Sequence, residues 1–302
     1  MIRRVSGAGA IPLAALLILS AAGCGGGHPM SAGPDVVTGP SAGGGAPSSG
    51  GVLADVTARA DADESNAGAR PIDSPGTIAE PGDYQLTRDL TVTDGDGLVV
   101  QASGVRLRLG GHTLTGPGNK AGRAIVIDGA HDVLVSGGRI RRFGLGVAVL
   151  GAHGCRVRDV VIEGGDETAD PANGNPPQIG VMLVNSDENV IAGNRLRDVN
   201  LGLFVRGGES RDNLLHHNVV LGGQHGLLGV CYNPAPSGGP AGPRGDRVLE
   251  NLLSRFGVGL SASAGSEANR FAGNTIRYFD VAWVDQNGAN VFRHNRAVQI
   301  PR

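Results

Sequence analysis

Three acids lie close together in a short insertion, Gly164 to Gln178, which reads GGDETADPANGNPPQ. They are Asp166, Glu167 and Asp170. Glycoside hydrolysis needs two carboxyls about 5–9.5 Å apart across a cleft. The loop acids offer one member of such a pair, and Asp187 or Glu209 offers the other. A second group is spaced for a metal. His131 and His153 stand 22 residues apart in matching Gly-Ala-His turns, and Asp187 takes the corresponding place one unit later. Two imidazoles and a carboxylate are a donor set for a transition metal. A column of polar turn residues has the same signature, so no metal and no cofactor is assigned. The adjacent His216 and His217 are not expected to share an ion, because neighbouring strand residues point to opposite faces.

What positions these residues is a repeated phrase in the C-terminal third. It reads NVIAGNRL from Asn189, NLLHHNVV from Asn213, DRVLENLL from Asp246, NRFAGNTI from Asn269 and NVFRHNRA from Asn290. The first position is an amide or an acid. The third is apolar: Ile191, Leu215, Val248, Phe271, Phe292. The sixth is always Asn: Asn194, Asn218, Asn251, Asn274, Asn295. The intervals are 24, 33, 23 and 21 residues, a period of about 22 with one insertion. A fixed period in this range marks a solenoid. Upstream, short runs of alternating apolar residues such as Val105, Leu107 and Leu109 give the period-2 signal of strands.

A strand unit of this length cannot bury its own apolar face, and stacking units at about 4.8 Å buries a continuous column. The third and eighth positions are then expected to point inward. The sixth-position Asn is expected in a bend, where its amide tolerates left-handed geometry and can bond along the axis as a ladder. With these phrases and the Gly-ϕ-x-ϕ strands at 146–149, 180–183 and 202–205, the chain resembles a right-handed parallel β-helix of the pectate-lyase-like superfamily, close to NosD-type repeat proteins. The resemblance implies an all-β solenoid of about eight coils over residues 76–302. A left-handed β-helix has a hexapeptide period and coils of about 18 residues, which the intervals do not match. The fold hosts lyases, hydrolases, epimerases and adhesins, so it does not by itself name a function.

The insertion at 164–178 and a second one, Val230 to Gly245, flank one sheet from opposite sides. Together they are expected to wall a groove whose floor is the outward row Val126, Ala148, Met182, Phe204 and Leu228, with Arg206 and His225 nearby and Tyr232 and Arg244 on the second wall. The binding candidates are Met182, Phe204, Arg206, Leu228 and Tyr232. Pectate lyases hold calcium with carboxylates on such strands. That row has none, and calcium takes several oxygen ligands, so those catalytic residues do not carry over. Copper, which the NosD resemblance suggests, wants clustered thiolates and thioethers. Cys155 is expected on an inward strand position and Cys231 in a loop about three coils away, which predicts neither a copper site nor a disulfide.

The ends and the composition complete the reading. Arg3 and Arg4 precede an apolar run from Ile11 to Ala22, and Leu19-Ser20-Ala21-Ala22-Gly23-Cys24 resembles a lipobox with Ala21 in place of the usual Leu. Residues 1–24 are therefore expected to be a lipoprotein signal with lipid on Cys24. Residues 25–75, rich in Gly, Ser and Pro, are expected to be a disordered tether. Net charge is -2, which gives no electrostatic case for nucleic acid. Aromatic residues are 3%, so the core must be built from Val, Ile and Leu. Lys120 is the only lysine, and nothing functional follows from that. The expected function is that of an exported, lipid-anchored β-helix binding polysaccharide or another cell-envelope partner. The alternative is a polysaccharide-active lyase, hydrolase or epimerase working in the groove.

Overall fold

The computed structural model describes residues 68–118, 120–165, 167–169, 175–233 and 241–299. Cys24, the signal at 1–24, almost all of the tether, Asp166 and Asp170 lie outside the described residues. The described strands all belong to one compact unit, and among the described residues there is no helix. The inner coils each run through three faces, and the strands pair in parallel with their counterparts in the neighbouring coils. For example, Leu134–Ser136, Arg139–Arg141 and Leu145–Leu150 follow one another around a single coil, and Arg156–Arg158 pairs back onto the first of them. Strands of the first kind form a ten-stranded sheet, which begins at Arg70. This is two rungs more than the period suggests, because two early strands, at 70–72 and 82–86, precede the clearest repeats. The second and third kinds form one sheet path, joined where the eleven-residue strand Leu252–Ala262 runs through both faces.

The apolar columns face inward as expected. Ile191, Leu215, Val248 and Phe271 are fully buried and in register, and Phe292 closes the column half-buried. Glycines 146, 180, 202, 229 and 259 also stack in register, at the corner where two faces meet. A Cβ on Gly202 would come within 2.4 Å of both the Gly229 carbonyl and the Val220 side chain. These glycines therefore permit close approach of backbone and side chain; they are not the ones with positive φ.

The sixth-position asparagines form a ladder. Asn194, Asn218, Asn251 and Asn274 each donate Nδ2 to the Oδ1 of the next rung at 2.9–3.0 Å, and their backbone N–H groups reach the same oxygens. Each amide also donates to a carbonyl of the preceding coil, as Asn251 does to Leu215. The left-handed φ, however, falls on the residue before the asparagine: Gly193, His217, Glu250, Gly273 and His294. That residue makes the bend, and the bend turns the asparagine inward.

A second ladder runs through the first position: Asn189, Asn213, Asp246, Asn269 and Asn290. Its end is capped by Asp285, whose two oxygens accept from the Asn290 backbone and side chain at 3.0 and 2.9 Å.

Candidate functional site

The strands Ile179–Val184, Leu201–Arg206 and Leu228–Asn233 lie side by side between the two insertions. Their outward row is apolar, as expected, but differs in one member. Ala148, Met182, Phe204 and Cys231 are in register, and Leu228 belongs to a different column, paired with Leu201 and Val258. The sequence Gly226-Leu-Leu-Gly229-Val offers two glycines as the start of the strand repeat, and the chain uses Gly229 because it completes the glycine column. This shift brings Cys231 and Tyr232 into the strand and out of the expected loop. Tyr232 points inward, is fully buried, and meets Phe271 edge-on with ring centroids 5.2 Å apart. It is a core residue and forms no groove wall.

The floor of the expected groove is closed to solvent. Met182 is 3% exposed and Phe204 is 2% exposed, and both belong to a second apolar cluster on the outside of the sheet, against which Leu228 packs partly buried. Arg206 is buried beside this cluster at the strand end, and burial holds its guanidinium pKa below the ordinary arginine value.

Glu167 is half-buried and ion-paired with Lys120 at 3.2 Å. Its backbone oxygen and that of His225 both accept from the Asn200 amide at 2.9 and 2.8 Å, which pins the first insertion to the N-terminal edge of the sheet. The Gln178 backbone N–H donates to the Asn200 Oδ1 at 2.8 Å, fixing the far end of the same loop. Asp187 lies past the other end of the six-residue strand Ile179–Val184, bridged between His153 and Arg211. A strand of that length spans roughly 20 Å, well beyond the separation of a glycosidase pair. Glu167 and Asp187 are therefore not partner acids. Glu209 is an exposed turn residue, three past the buried Arg206.

His131, His153 and Asp187 do fall in one turn column, which continues through Arg211, Arg244 and Glu267. The two imidazoles stack with centroids 5.1 Å apart and planes 26° from parallel, and His131 Nδ1 lies 2.9 Å from Asp132. Among the described residues no three His, Cys, Asp or Glu side chains converge as a metal site. His216 and His217 approach more closely than alternation predicts. His217 has left-handed φ, the two Nδ1 atoms lie 2.8 Å apart, and His217 Nε2 meets Glu250 at 2.7 Å. Burial and the neighbouring His217 lower the His216 pKa. Cys155 is buried and unbridged, its thiol pushed up to about 11 by burial, and Cys231 is likewise buried and forms no disulfide.

The acid with the most altered chemistry was not among the site candidates. Asp246 is fully buried in the second ladder, and burial raises its carboxyl to about 7 against hydrogen bonds from Asn213 that lower it. Its Oδ2 faces the Tyr232 hydroxyl without a well-formed hydrogen bond. The tyrosine in turn is raised well above its ordinary value, by burial first and by Asp246 second. The only sequence signal was the acid at the first position of the third phrase.

Stacked parallel coils with three faces, inward apolar columns and amide ladders define the class as a parallel β-helix. The family model described as "Right handed beta helix region" matches residues 82–276. The chain belongs to that family. No match is found among curated proteins. Among solved structures the chain is similar to the tailspike protein of E. coli bacteriophage HK620, a mutant solved with a hexasaccharide and with a pentasaccharide. Identity is 10% and 9%, and the TM-score is 0.46 in each case. The alignments cover 76% and 78% of this chain, and 48% and 57% of the tailspike chains, so this chain spans about half their length.

Proposed function

We propose that this protein is an exported, membrane-tethered β-helix that binds carbohydrate or another cell-envelope component without catalysis. One observation carries the non-catalytic part. Among the described residues, the carboxyl with the raised pKa, Asp246, is sealed inside the scaffold where no substrate reaches it, and Glu167 and Asp187 stand at opposite ends of a strand. General acid–base work needs a group of suitable pKa within hydrogen-bond reach of the substrate. Tethering is supported by the lipobox-like run ending at Cys24 and the Gly/Ser/Pro-rich segment after it. Two acyl chains give stable membrane attachment where one does not.

The test is incubation of the full chain with a polysaccharide panel, reading both retention and the release of reducing or unsaturated ends. Retention without release is expected. Release that disappears in Glu167→Ala would overturn the reading in favour of an enzyme. In the same preparation, Cys24→Ser should move the protein from the membrane fraction to the soluble fraction; an unchanged distribution would sink the lipid anchor.

A further inference from the structure

The strands Arg139–Arg141, Val161–Glu163 and Arg195–Arg197 are neighbours in register on the second face of the coil. Arg139 and Arg195 flank Val161, and Arg141 and Arg197 flank Glu163. Alternation buries Ile140, Ile162 and Leu196 and turns all four arginines outward, where they are exposed. The strand pair that carries them is two coils apart, about 9.6 Å, and the two arginines of one strand are about 6.6 Å apart. One carboxylate sits among them. Glu163 meets Arg139 at 2.9 Å and Arg197 at 2.5 Å, and Arg141 donates to the Thr115 hydroxyl. Four guanidinium groups and one carboxylate leave the patch three charges positive.

We infer that this arginine quartet is a docking surface for an extended, carboxylate-bearing polysaccharide laid along the coil axis. The inference rests on the carbohydrate-binding reading and names the class of glycan. Glu163 displays the chemistry: a carboxylate on this face is taken by two guanidinium groups at once, one from each side. Guanidinium forks suit carboxylates in a way that ammonium groups do not. A rigid sheet repeats them at a fixed interval, so a polymer with regularly spaced charges is matched without ordering the protein. The quartet's strands carry no aromatic side chain, which removes the stacking platform that single-stranded nucleic acid uses.

The experiment uses the full chain with alginate as the carboxylated probe, dextran as the neutral one and linear polyphosphate as the competing anion. The quadruple variant Arg139→Gln, Arg141→Gln, Arg195→Gln, Arg197→Gln should weaken alginate binding by at least about tenfold. A charge-matched variant elsewhere, Arg211→Gln, Arg247→Gln, Arg270→Gln, Arg293→Gln, should leave it nearly unchanged. Equal losses in both variants overturn the assignment, as does tighter binding of polyphosphate than of alginate. Binding of dextran without alginate also overturns it, while the broader carbohydrate reading survives. Failure to bind any glycan removes both. Glu163→Gln keeps the test alive if the quadruple variant does not fold: it releases Arg139 and Arg197 to the ligand and should tighten alginate binding severalfold, and weaker binding would contradict the inference.

Discussion

Two amide ladders climb the same coils a few residues apart, and they differ at one rung. In the first, every described rung is asparagine. Each side chain offers an oxygen to the coil before it and an N–H to the coil after it. In the second, the middle rung is Asp246. Its Oδ1 does all that an asparagine oxygen does, accepting from the backbone and side chain of Asn213 at 2.7 and 3.1 Å. Its Oδ2 stands where the amide N–H would donate. An ionised carboxylate there offers only lone pairs, and a buried acceptor without a donor costs about 1–3 kcal/mol, more when charged. A ladder thus tolerates an acid at a rung when the acid is protonated. The same contrast separates scaffold from function: the altered carboxyl belongs to the scaffold, and the exposed charge that can recognise a ligand lies on the arginine face.

The largest expected effect is the pH dependence of that rung. Burial raises Asp246 from 3.8 to about 7 in the folded chain. The folded protein therefore keeps a proton that the unfolded chain releases. The stabilisation is complete below the unfolded value, is lost as pH rises through the window up to about 7, and changes no further above it. The loss is on the order of 4 kcal/mol. In Asp246→Asn the amide restores the donor, so denaturant unfolding should show this slope removed and the variant more stable than the natural chain above neutrality. A slope that persists would break the comparison.

Next comes the uniform ladder. Asn251→Ala removes an acceptor from Asn218 and donors to Leu215 and Asn274, all buried. The expected loss is about 3 kcal/mol by equilibrium unfolding, with no dependence on pH across the same window. A loss confined to high pH would show that the two ladders do not differ as described. The smallest effect belongs to Tyr232→Phe. The hydroxyl that faces Asp246 helps hold the carboxyl down, so its removal should raise the Asp246 titration further and change stability by about 1 kcal/mol. A downward move would show that the phenol plays another part.

The sequence made the solenoid legible because its period is carried by residues with one job each. Ile191, Leu215, Val248 and Phe271 recur at the same place in each phrase, three positions before its asparagine, and an inward column satisfies them all. The sixth-position ladder was legible for the same reason. The register of one strand was not. Gly226 and Gly229 both begin a plausible strand, and choosing between them requires the glycine column of the neighbouring coils, where a Cβ on Gly229 would meet the Gly259 carbonyl at 2.6 Å. That three-residue difference moved Tyr232 from a groove wall to the core and hid its contact with Asp246. The close approach of His216 and His217 was not legible, because alternation assumes a flat strand and the left-handed φ of His217 breaks it. The arginine quartet was invisible while residues were taken one phrase at a time. Arg139 and Arg197 lie 58 positions apart and meet only through Glu163.

The most direct test of the ladder comparison is the titration of the Asp246 carboxyl carbon by NMR in the folded chain. A midpoint near 7 is the predicted result, with the Asn213 and Asn269 amide signals moving together with it. A midpoint at the ordinary aspartate value of 3.8, with those amides unmoved near neutrality, would contradict the account.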